Sequence, residues 1–548
     1  MNVFTVHQQW LERTKDNAPI YDELIAIKGD EKAIEDRFYK GLAFGTGGLR
    51  GVLGAGTNRM NVYSVGKATL GLADYLIKNS GGKSVGVAIA YDSRNMSAEF
   101  AYLAAQILSA KGIKAYLFAE LTPTPVLSFA VRYLGADAGI VITASHNPKE
   151  YNGYKVYNEL GCQITDGAAK EITACIEKHG YFDEYVPNES LITYLGEDVK
   201  HAFLDAIKAF SLSEITAENL PSVVYSPLHG TGRKYVQAIL QELGVTALHT
   251  VAEQEEPDGN FSTCPYPNPE EKAALTLALR DAEKYKCDLV MATDPDADRI
   301  GIAVANAQGE YVLLNGNETG SILLYYILSR KSETGTLGIA PTVIKTIVTT
   351  DIVFDIAKDF GAEVKEVLTG FKYIGEALEN TDNYVLGLEE SYGYLVGTHA
   401  RDKDAVSAAM LIVEACAYFK GQGKSLYDVL CEIYEKYGYY RTDLFSISLP
   451  GKDGMEKMQA MLAEIRKSPE KTFDGKSFVF ADFAAGLFGL PKSDVLRFVN
   501  DTYRVLIRPS GTEPKMKVYL QVKGSSPADA EEKLVALSAA VKNEWIGV

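Results

Sequence analysis

No stretch of the 548-residue chain approaches the ~20 uninterrupted apolar residues that a helix needs to cross a bilayer, which excludes a helical membrane span. Cysteine is sparse and unpatterned. Its six residues (162, 175, 264, 287, 416 and 431) show no Cys-x-x-Cys spacing, which argues against a zinc site or a disulfide framework and suits a reducing compartment. Met1 to Lys15 is polar and mixed in charge, without the apolar core of a secretory leader, so the expected location is cytoplasmic. Positive charge is in deficit: 55 Lys and Arg stand against 72 Asp and Glu, a net charge of −17. Nucleic acid and anionic membranes are therefore not expected partners, and an anionic substrate would have to be met by a local basic cluster. Neither a low-complexity linker nor an exact repeat is present. The glycine-rich stretch Phe44-Gly45-Thr46-Gly47-Gly48-Leu49-Arg50-Gly51 is not a dinucleotide fingerprint, because the third glycine of that spacing falls on Arg50, nor is it a Walker loop.

What is present reads as a soluble globular chain, 47% apolar and 23% charged. It is too long for one core, and its length suggests about three to five domains. Residues 1–40 have helical periodicity. Strands are expected at Ser84–Tyr91, Ala115–Phe118, Ala138–Ile142 and Tyr154–Asn158, with a helix over Ser97–Ala110. Strands alternating with helices predict α/β layers with largely parallel sheets. A second unit starts at Val223–Ser226 and includes a strand at Cys287–Ala292, and a third begins near Leu337 with a helix around Asp351–Phe360. A tail carries strands at Tyr503–Ile507 and Lys517–Val522 and a helix from Pro527, with Ala530, Leu534, Leu537 and Val541 on its core face. The expected domains are 1–200, 201–315, 316–440 and 441–548.

Four loops carry chemistry. Thr143-Ala144-Ser145-His146-Asn147-Pro148 leaves a buried strand at its carboxyl end, where open α/β sheets bind ligands. Pro148 keeps the segment out of helix, so Ser145 is available to be phosphorylated or to attack phosphorus, with His146, Asn147 and Lys155 as possible helpers. His146 reads first as a residue that orients this loop. Asp294, Asp296 and Asp298 alternate along what reads as an extended segment, which would point three carboxylates the same way. Such a set needs a cation, and oxygen donors suit a hard ion such as Mg²⁺. An EF-hand is excluded, since its sixth-position glycine is Arg299 here and its twelfth-position glutamate is Ala305. Glu389 and Ser391 can share a face and hydrogen-bond vicinal sugar hydroxyls. Beyond them, Arg401 and Lys403 supply cations that can neutralise a phosphate or move a proton. Arg508-Pro509-Ser510-Gly511-Thr512 has the composition of a phosphate cradle: a guanidinium fork, two hydroxyls and a glycine that lets backbone N–H groups approach oxygens.

In this order, these motifs resemble those of the α-D-phosphohexomutase superfamily. They are Thr-Ala-Ser-His-Asn-Pro (143–148), Asp-Pro-Asp-Ala-Asp-Arg (294–299), Glu-Glu-Ser-Tyr-Gly (389–393) and Arg-Pro-Ser-Gly-Thr-Glu-Pro (508–514). The resemblance covers about residues 40–525, and the glycine-rich entry and the Glu-Glu-Ser-Tyr-Gly form are similar to the phosphoglucomutase/phosphopentomutase branch. It implies an α/β protein of four-domain phosphohexomutase architecture, three similar mixed-sheet domains and a smaller α+β C-terminal domain. It implies one Mg²⁺ held by phosphorylated Ser145 with Asp294, Asp296 and Asp298, and glucose 1,6-bisphosphate as primer and intermediate. Arg50 and Lys155 fall where the family keeps proton-transfer helpers, with His146 beside them. Thr369, Gly370, Glu389, Ser391, Arg401 and Lys403 fall among substrate-binding positions, together with Arg299. Arg508, Ser510, Gly511 and Thr512 fall at the distal phosphate clamp. Some members place a histidine after Ser-Gly in the sugar loop. This chain has Ser391-Tyr392-Gly393-Tyr394, which removes one candidate acid or base.

The implied activity interconverts glucose 1-phosphate and glucose 6-phosphate, with pentose or mannose phosphates as alternative sugars. The expected partner is a phosphosugar, and the expected assembly a monomer or weak homodimer. Phosphoryl transfer needs alignment and charge neutralisation, which Mg²⁺ with Arg299, Arg50 and Lys155 could supply. A metal-dependent phosphohydrolase would share the serine and metal but has no need of a second phosphate clamp. A non-catalytic sugar-phosphate sensor would not need the serine together with a full aspartate triad.

Overall fold

The protein is described by a computed structural model, covering residues 2–449, 454–509 and 515–547. The chain folds into two compact units. The first comprises Met1–Leu314, Ile374–Asn380 and Tyr392–Ser425, and the second Asn315–Tyr373, Thr381–Ser391 and Leu426–Val548.

The first unit opens with helices Val3–Arg13, Ala18–Ala26 and Glu31–Phe38, which close over Trp10, Leu24, Ile34 and Phe38. Its larger sheet comprises β1 (Leu49–Val52), β2 (Gly86–Tyr91), β3 (Lys114–Phe118), β4 (Ala138–Ile142), β5 (Tyr151–Asn158) and β6 (Ile192–Leu195), in the order β1-β5-β4-β2-β3-β6. β4 is buried throughout, as its Ala-Gly-Ile-Val-Ile composition requires for a central strand. Helices of alternating connection, among them Val62–Asn79, capped by Asn61 and Ser64, and Ser97–Ala110, cover this sheet. The largely parallel arrangement expected from sequence holds for β2, β3, β4 and β6. It fails at β5, which runs antiparallel to β4, as does β1 to β5. The connection from β4 to β5 is too short for a crossover helix, so the chain must reverse there, and Ser145 rides on the reversal.

The same device recurs in the second sheet. Its strands β7 (Val223–Ser226), β8 (Leu248–Thr250), β9 (Leu289–Thr293), β10 (Ile300–Ala305) and β11 (Tyr311–Leu314) lie in the order β11-β10-β9-β7-β8. β7, β8 and β9 are parallel, and β10 turns back antiparallel on β9. The aspartate triad forms that turn.

In the second unit, β12 (Thr342–Thr346), β13 (Glu363–Val367) and β14 (Tyr384–Glu389) are parallel, with β12 between the other two. β15 (Gly393–Val396) belongs to the first unit, where Gly393 bridges Arg299. The C-terminal sheet is antiparallel: β16 (Tyr439–Ser448), a ribbon of β17 (Thr472–Phe473) and β18 (Lys476–Ser477) at its side, then β19 (Val479–Asp482), β20 (Leu496–Val499), β21 (Tyr503–Pro509) and β22 (Lys515–Gly524), in the sheet order β16-β22-β21-β20-β19. Helix Pro527–Ala540 covers it with Ala530, Leu534 and Leu537.

Within this unit the C-terminal sheet is tied to β12 and β13 by apolar contacts among Ile347, Leu368, Phe483, Leu506 and Tyr519, and by an ion cluster of two buried cations and two half-buried carboxylates. Lys345 Nζ lies 3.0 Å from Asp351 Oδ1 and 3.1 Å from Glu366 Oε1, while Arg504 pairs with both carboxylates. Burial opposes charge on Asp351 and Glu366, but Lys345 and Arg504 outweigh it and hold both below the ordinary carboxylate range.

Candidate active site

Ser145 sits in the left-handed region at φ +51°, a costly backbone for a β-carbon residue, and is 4% exposed. The loop is held from two sides. Thr143 Oγ1 accepts from the Ser145 N–H at 2.8 Å, and the Arg94 guanidinium donates to the carbonyls of Ser145, Asn147, Pro148 (2.9 Å) and Tyr151 (3.0 Å). Arg94 is itself fixed by Asp92 at 3.3 Å, both side chains fully buried, and by the Phe261 ring 4.9 Å away. The Ser145 hydroxyl is thereby aimed at Asp294 Oδ2, 2.7 Å distant, with His146 Nδ1 3.1 Å away on its other side. Burial, then the charges of Arg299 and Arg50, lower His146 to about 2, so its imidazole is neutral at neutral pH.

Asp294, Asp296 and Asp298 each offer one carboxylate oxygen within 4.8 Å of the others, and all three are buried. They converge through a tight turn, which replaces the extended alternation expected from sequence. Ala297 is left-handed (φ +50°) and its N–H donates to the Asp294 carbonyl at 2.9 Å. Asp294 Oδ1 then accepts from the N–H groups of Asp298 (3.1 Å) and Arg299 (3.0 Å). Behind the turn lies the 227–232 loop. Thr231 N donates to the Pro295 carbonyl at 2.8 Å, and a β-carbon at Gly230 would lie 2.4 Å from Pro295 Cα, so only glycine lets the two loops meet. His229 is used there structurally, bonded to the Glu256 carbonyl and to Thr263.

Two lysines compensate the carboxylates. Lys155 Nζ lies 2.9 Å from Asp296 Oδ2 and 3.9 Å from Asp298, and Lys403 Nζ lies 3.0 Å from Asp298 Oδ2 and 3.0 Å from Asp402. Thr124 Oγ1 also donates to Asp296, at 2.9 Å. Burial and the neighbouring carboxylates push Asp294 well up and raise Asp298, whereas at Asp296 burial is outweighed by Lys155. Arg50 enters from β1, its guanidinium 3.4 Å from Asn147 Oδ1. Gly48, just before it, is at φ +73° with the Tyr154 carbonyl 1.8 Å from where a β-carbon would be, so the glycine is what allows β1 to lie against β5. Arg299 pairs with Glu270 at 2.5 Å and lies 3.7 Å from Asp298.

The second unit assembles its own polar group. Glu389, 5% exposed at the end of β14, accepts from the Gly370 N–H at 3.0 Å, which places Thr369 and Gly370 beside it. Thr369 Oγ1 is buried and makes no hydrogen bond among the described residues. Glu390 accepts from Thr346 (3.3 Å) and Thr349 (3.4 Å). Tyr519 on β22, 6% exposed, faces Glu390, Arg508 and Glu389. Burial and Glu390 raise its hydroxyl, while Arg508, which hydrogen-bonds it, opposes them. Arg508 thus lies near Glu389 and Glu390, and Ser391 follows them in the same loop. The predicted clamp residues Ser510, Gly511 and Thr512 lie outside the described residues.

Four family models match in order: phosphoglucomutase/phosphomannomutase α/β/α domains I, II and III at residues 41–182, 201–309 and 315–437, and the C-terminal domain at 451–536. The chain belongs to the phosphoglucomutase/phosphomannomutase family. It is 36% identical over 536 residues to a phosphoglucomutase of Staphylococcus haemolyticus, covering 93% of this chain and 96% of that one. It is also 36% identical over 550 residues to one of Staphylococcus aureus, covering 96% and 97%. Among solved structures, pp63/parafusin (phosphoglucomutase) from Paramecium, in an open form, has a TM-score of 0.70 at 18% identity and covers 92% and 96% of the two chains. A phosphoglucomutase/phosphomannomutase family protein from Burkholderia thailandensis has a TM-score of 0.67 at 19% identity, covering 91% and 96%. These two likenesses are of fold, and the architecture is the family's four-domain one: three α/β domains and a small C-terminal domain.

Against the family pattern, the first unit brings together Ser145, His146, Lys155, Arg50, Lys403, Arg299 and the three aspartates. It does not bring Arg401 to them: its guanidinium is engaged by Glu379 and by the carbonyls of Thr398 (2.7 Å) and Ala400 (2.9 Å), as a clamp on its own loop. Asp296 Oδ1 and Asp298 Oδ1 are buried and accept no hydrogen bond among the described residues. Unfilled anionic oxygens beside a serine hydroxyl fit a hard divalent cation. Arg94 and Tyr519 are site residues the sequence did not single out.

Proposed function

We propose that this phosphosugar mutase interconverts glucose 1-phosphate and glucose 6-phosphate through phosphorylated Ser145 and a glucose 1,6-bisphosphate intermediate. The observation that carries the reading is a serine hydroxyl 2.7 Å from the first of three buried, converging carboxylates. The two staphylococcal relatives named phosphoglucomutase favour glucose as the sugar.

Asp294, Asp296 and Asp298, with Ser145, would hold one Mg²⁺, which when bound supplies charge neutralisation to the transferring phosphoryl group. A sugar hydroxyl attacks the phosphorus on Ser145: a new O–P bond forms, the P–Oγ bond breaks, and the hydroxyl proton leaves to a base. Lys155 and Arg50 support that proton transfer, and neutral His146 keeps Oγ in line. The bisphosphate then presents its other phosphate, Oγ attacks it, and the isomeric monophosphate departs. Lys403 and Arg299 oppose the phosphate charge. Glu389, Ser391, Thr369 and Gly370 bind sugar hydroxyls. Arg508, with Ser510, Gly511 and Thr512, holds the phosphate not being transferred, and Tyr519 supports Arg508. Arg401 is left out of the substrate set. The protein works in the cytoplasm as a monomer or weak homodimer, with domains at 1–200, 201–315, 316–440 and 441–548.

A coupled assay tests this: glucose 1-phosphate, Mg²⁺ and trace glucose 1,6-bisphosphate, read as glucose 6-phosphate formed, with mannose 1-phosphate and ribose 1-phosphate in parallel. Bisphosphate-stimulated conversion, fastest with glucose, is expected. Release of inorganic phosphate without isomer would replace the mutase by a hydrolase.

A further inference from the structure

A cleft of about 250 Å³ lies in the first unit, between helix Val3–Arg13, helix Val62–Asn79 and the segment Gly180–Tyr185. None of the residues given roles above lines it. Its walls include four aromatic rings, Tyr63, Tyr181, Phe182 and Tyr185, and two cations, Arg13 and Lys67. Lys67 Nζ lies 4.7 Å from the centre of the Tyr181 ring, and the Arg13 guanidinium lies 5.3 Å from that of Phe182.

Among the described residues neither cation has a carboxylate partner within 4.0 Å, and Arg13 makes one long hydrogen bond, 3.5 Å to the Phe182 carbonyl. Their neighbours are paired: Lys111 holds Asp74 at 2.9 Å, and Arg37 holds Glu23. Asp183, the carboxylate on the cleft wall, is bonded to His179 at 3.0 Å. Burial lowers the half-buried Lys67 ammonium, with Glu177 and Asp183 opposing from a distance. In a chain of net charge −17, two cations with no carboxylate in ion-pairing distance among the described residues, in one aromatic cleft, are poised to take an anion.

The geometry points to a second binding site, separate from the phosphosugar site, for a small ligand that joins one aromatic ring to a phosphate or carboxylate. The ring would lie among Tyr63, Tyr181 and Phe182, and the anion between Lys67 and Arg13. The volume sets the size. At ~30 Å³ per water the cleft has room for about eight, enough for one ring and its anionic group. It falls just below the ~300–1,000 Å³ usual for drug-sized ligands.

The molecule carries its own reporter. Trp10, 2% exposed, packs behind the cleft with ring centres 5.4 Å from Tyr63, 5.4 Å from Tyr181 and 5.3 Å from Phe182. The other tryptophan, Trp545, belongs to the second unit, so Trp545→Phe leaves Trp10 emission alone. The full-length protein is titrated with phenyl phosphate while glucose 6-phosphate and Mg²⁺ saturate the catalytic site. Inorganic phosphate and phenol are titrated separately. The expected result is a saturable change in Trp10 emission with phenyl phosphate. Its affinity should fall about tenfold or more in Lys67→Met, which keeps the apolar stem, and persist in Lys67→Arg. No saturable change, or equal affinity in wild type and Lys67→Met, would overturn the site. Equal binding of phenol or of inorganic phosphate would overturn the ligand class. If Trp545→Phe does not fold, the wild-type chain serves, with Trp545 as a constant background.

Discussion

Arg94→Met removes the group that connects the serine loop to its sheet. The guanidinium serves four carbonyls in the segment Ser145–Tyr151 and neutralises Asp92, whose side chain is fully buried. Removing one partner of a buried ion pair costs ~3–5 kcal/mol. Asp92 keeps two other donors, the residue-94 backbone N–H at 3.0 Å and Ser97 Oγ at 2.7 Å, so the loss should fall near ~3 kcal/mol. The carbonyls of Ser145, Asn147, Pro148 and Tyr151 lose the guanidinium as well, and of the two sides that hold Ser145 at φ +51° only the Thr143 contact remains. A hydroxyl displaced by ~1 Å from its in-line position costs roughly 10²-fold in kcat. The assay is urea unfolding of the first unit followed by Trp10 emission in a Trp545→Phe background, alongside kcat for glucose 1-phosphate. The double variant Asp92→Asn with Arg94→Met removes the stranded charge, so it should regain part of the stability but not the rate. Arg94→Met within ~1 kcal/mol of wild type, with unchanged kcat, would refute the role given to this arginine.

Arg508→Ala should lose ~1.5–3 kcal/mol of phosphate binding, seen as a roughly 10- to 150-fold fall in kcat/KM. Asp296→Asn should abolish saturable Mg²⁺ binding by calorimetry while the fold persists by circular dichroism. The Lys345–Asp351–Glu366–Arg504 cluster predicts acid sensitivity in the second unit. Both carboxylates titrate lower when folded, so their contribution is complete above their unfolded pKa of ~4 and is lost as pH falls below it. Stability of the second unit, read from unfolding followed at Trp545, should therefore fall on acidification, and Asp351→Asn should flatten that dependence.

The serine loop was legible because an apolar strand, Ala138–Ile142, ends abruptly in hydroxyls and a proline. The aspartate triad was legible by composition but not by geometry, since the left-handed Ala297 that folds it into a turn carries no mark in sequence. Arg94 escaped because it acts on backbone carbonyls about fifty residues away, and carbonyl acceptors leave no trace in side-chain identity. Tyr519 sits in a strand whose alternation reads as core, and only the pairing of β21 with β22 brings it to Arg508. Arg401 stood out as a cation in a loop, yet Glu379, in the turn that follows helix Phe371–Leu378, engages it. The antiparallel reversals at β5 and β10 follow from short connections, which a pattern of alternating strands and helices does not reveal.

The central claim is that Ser145 carries the phosphoryl group between substrates. The direct measurement incubates the protein with Mg²⁺ and glucose 1,6-bisphosphate radiolabelled in its phosphates, then maps the labelled peptide and chases with unlabelled glucose 1-phosphate. Label is expected on Ser145, with discharge of that label into glucose bisphosphate and then glucose 6-phosphate, and none bound in Ser145→Ala. Label on another residue, or label lost only as inorganic phosphate, would contradict the claim.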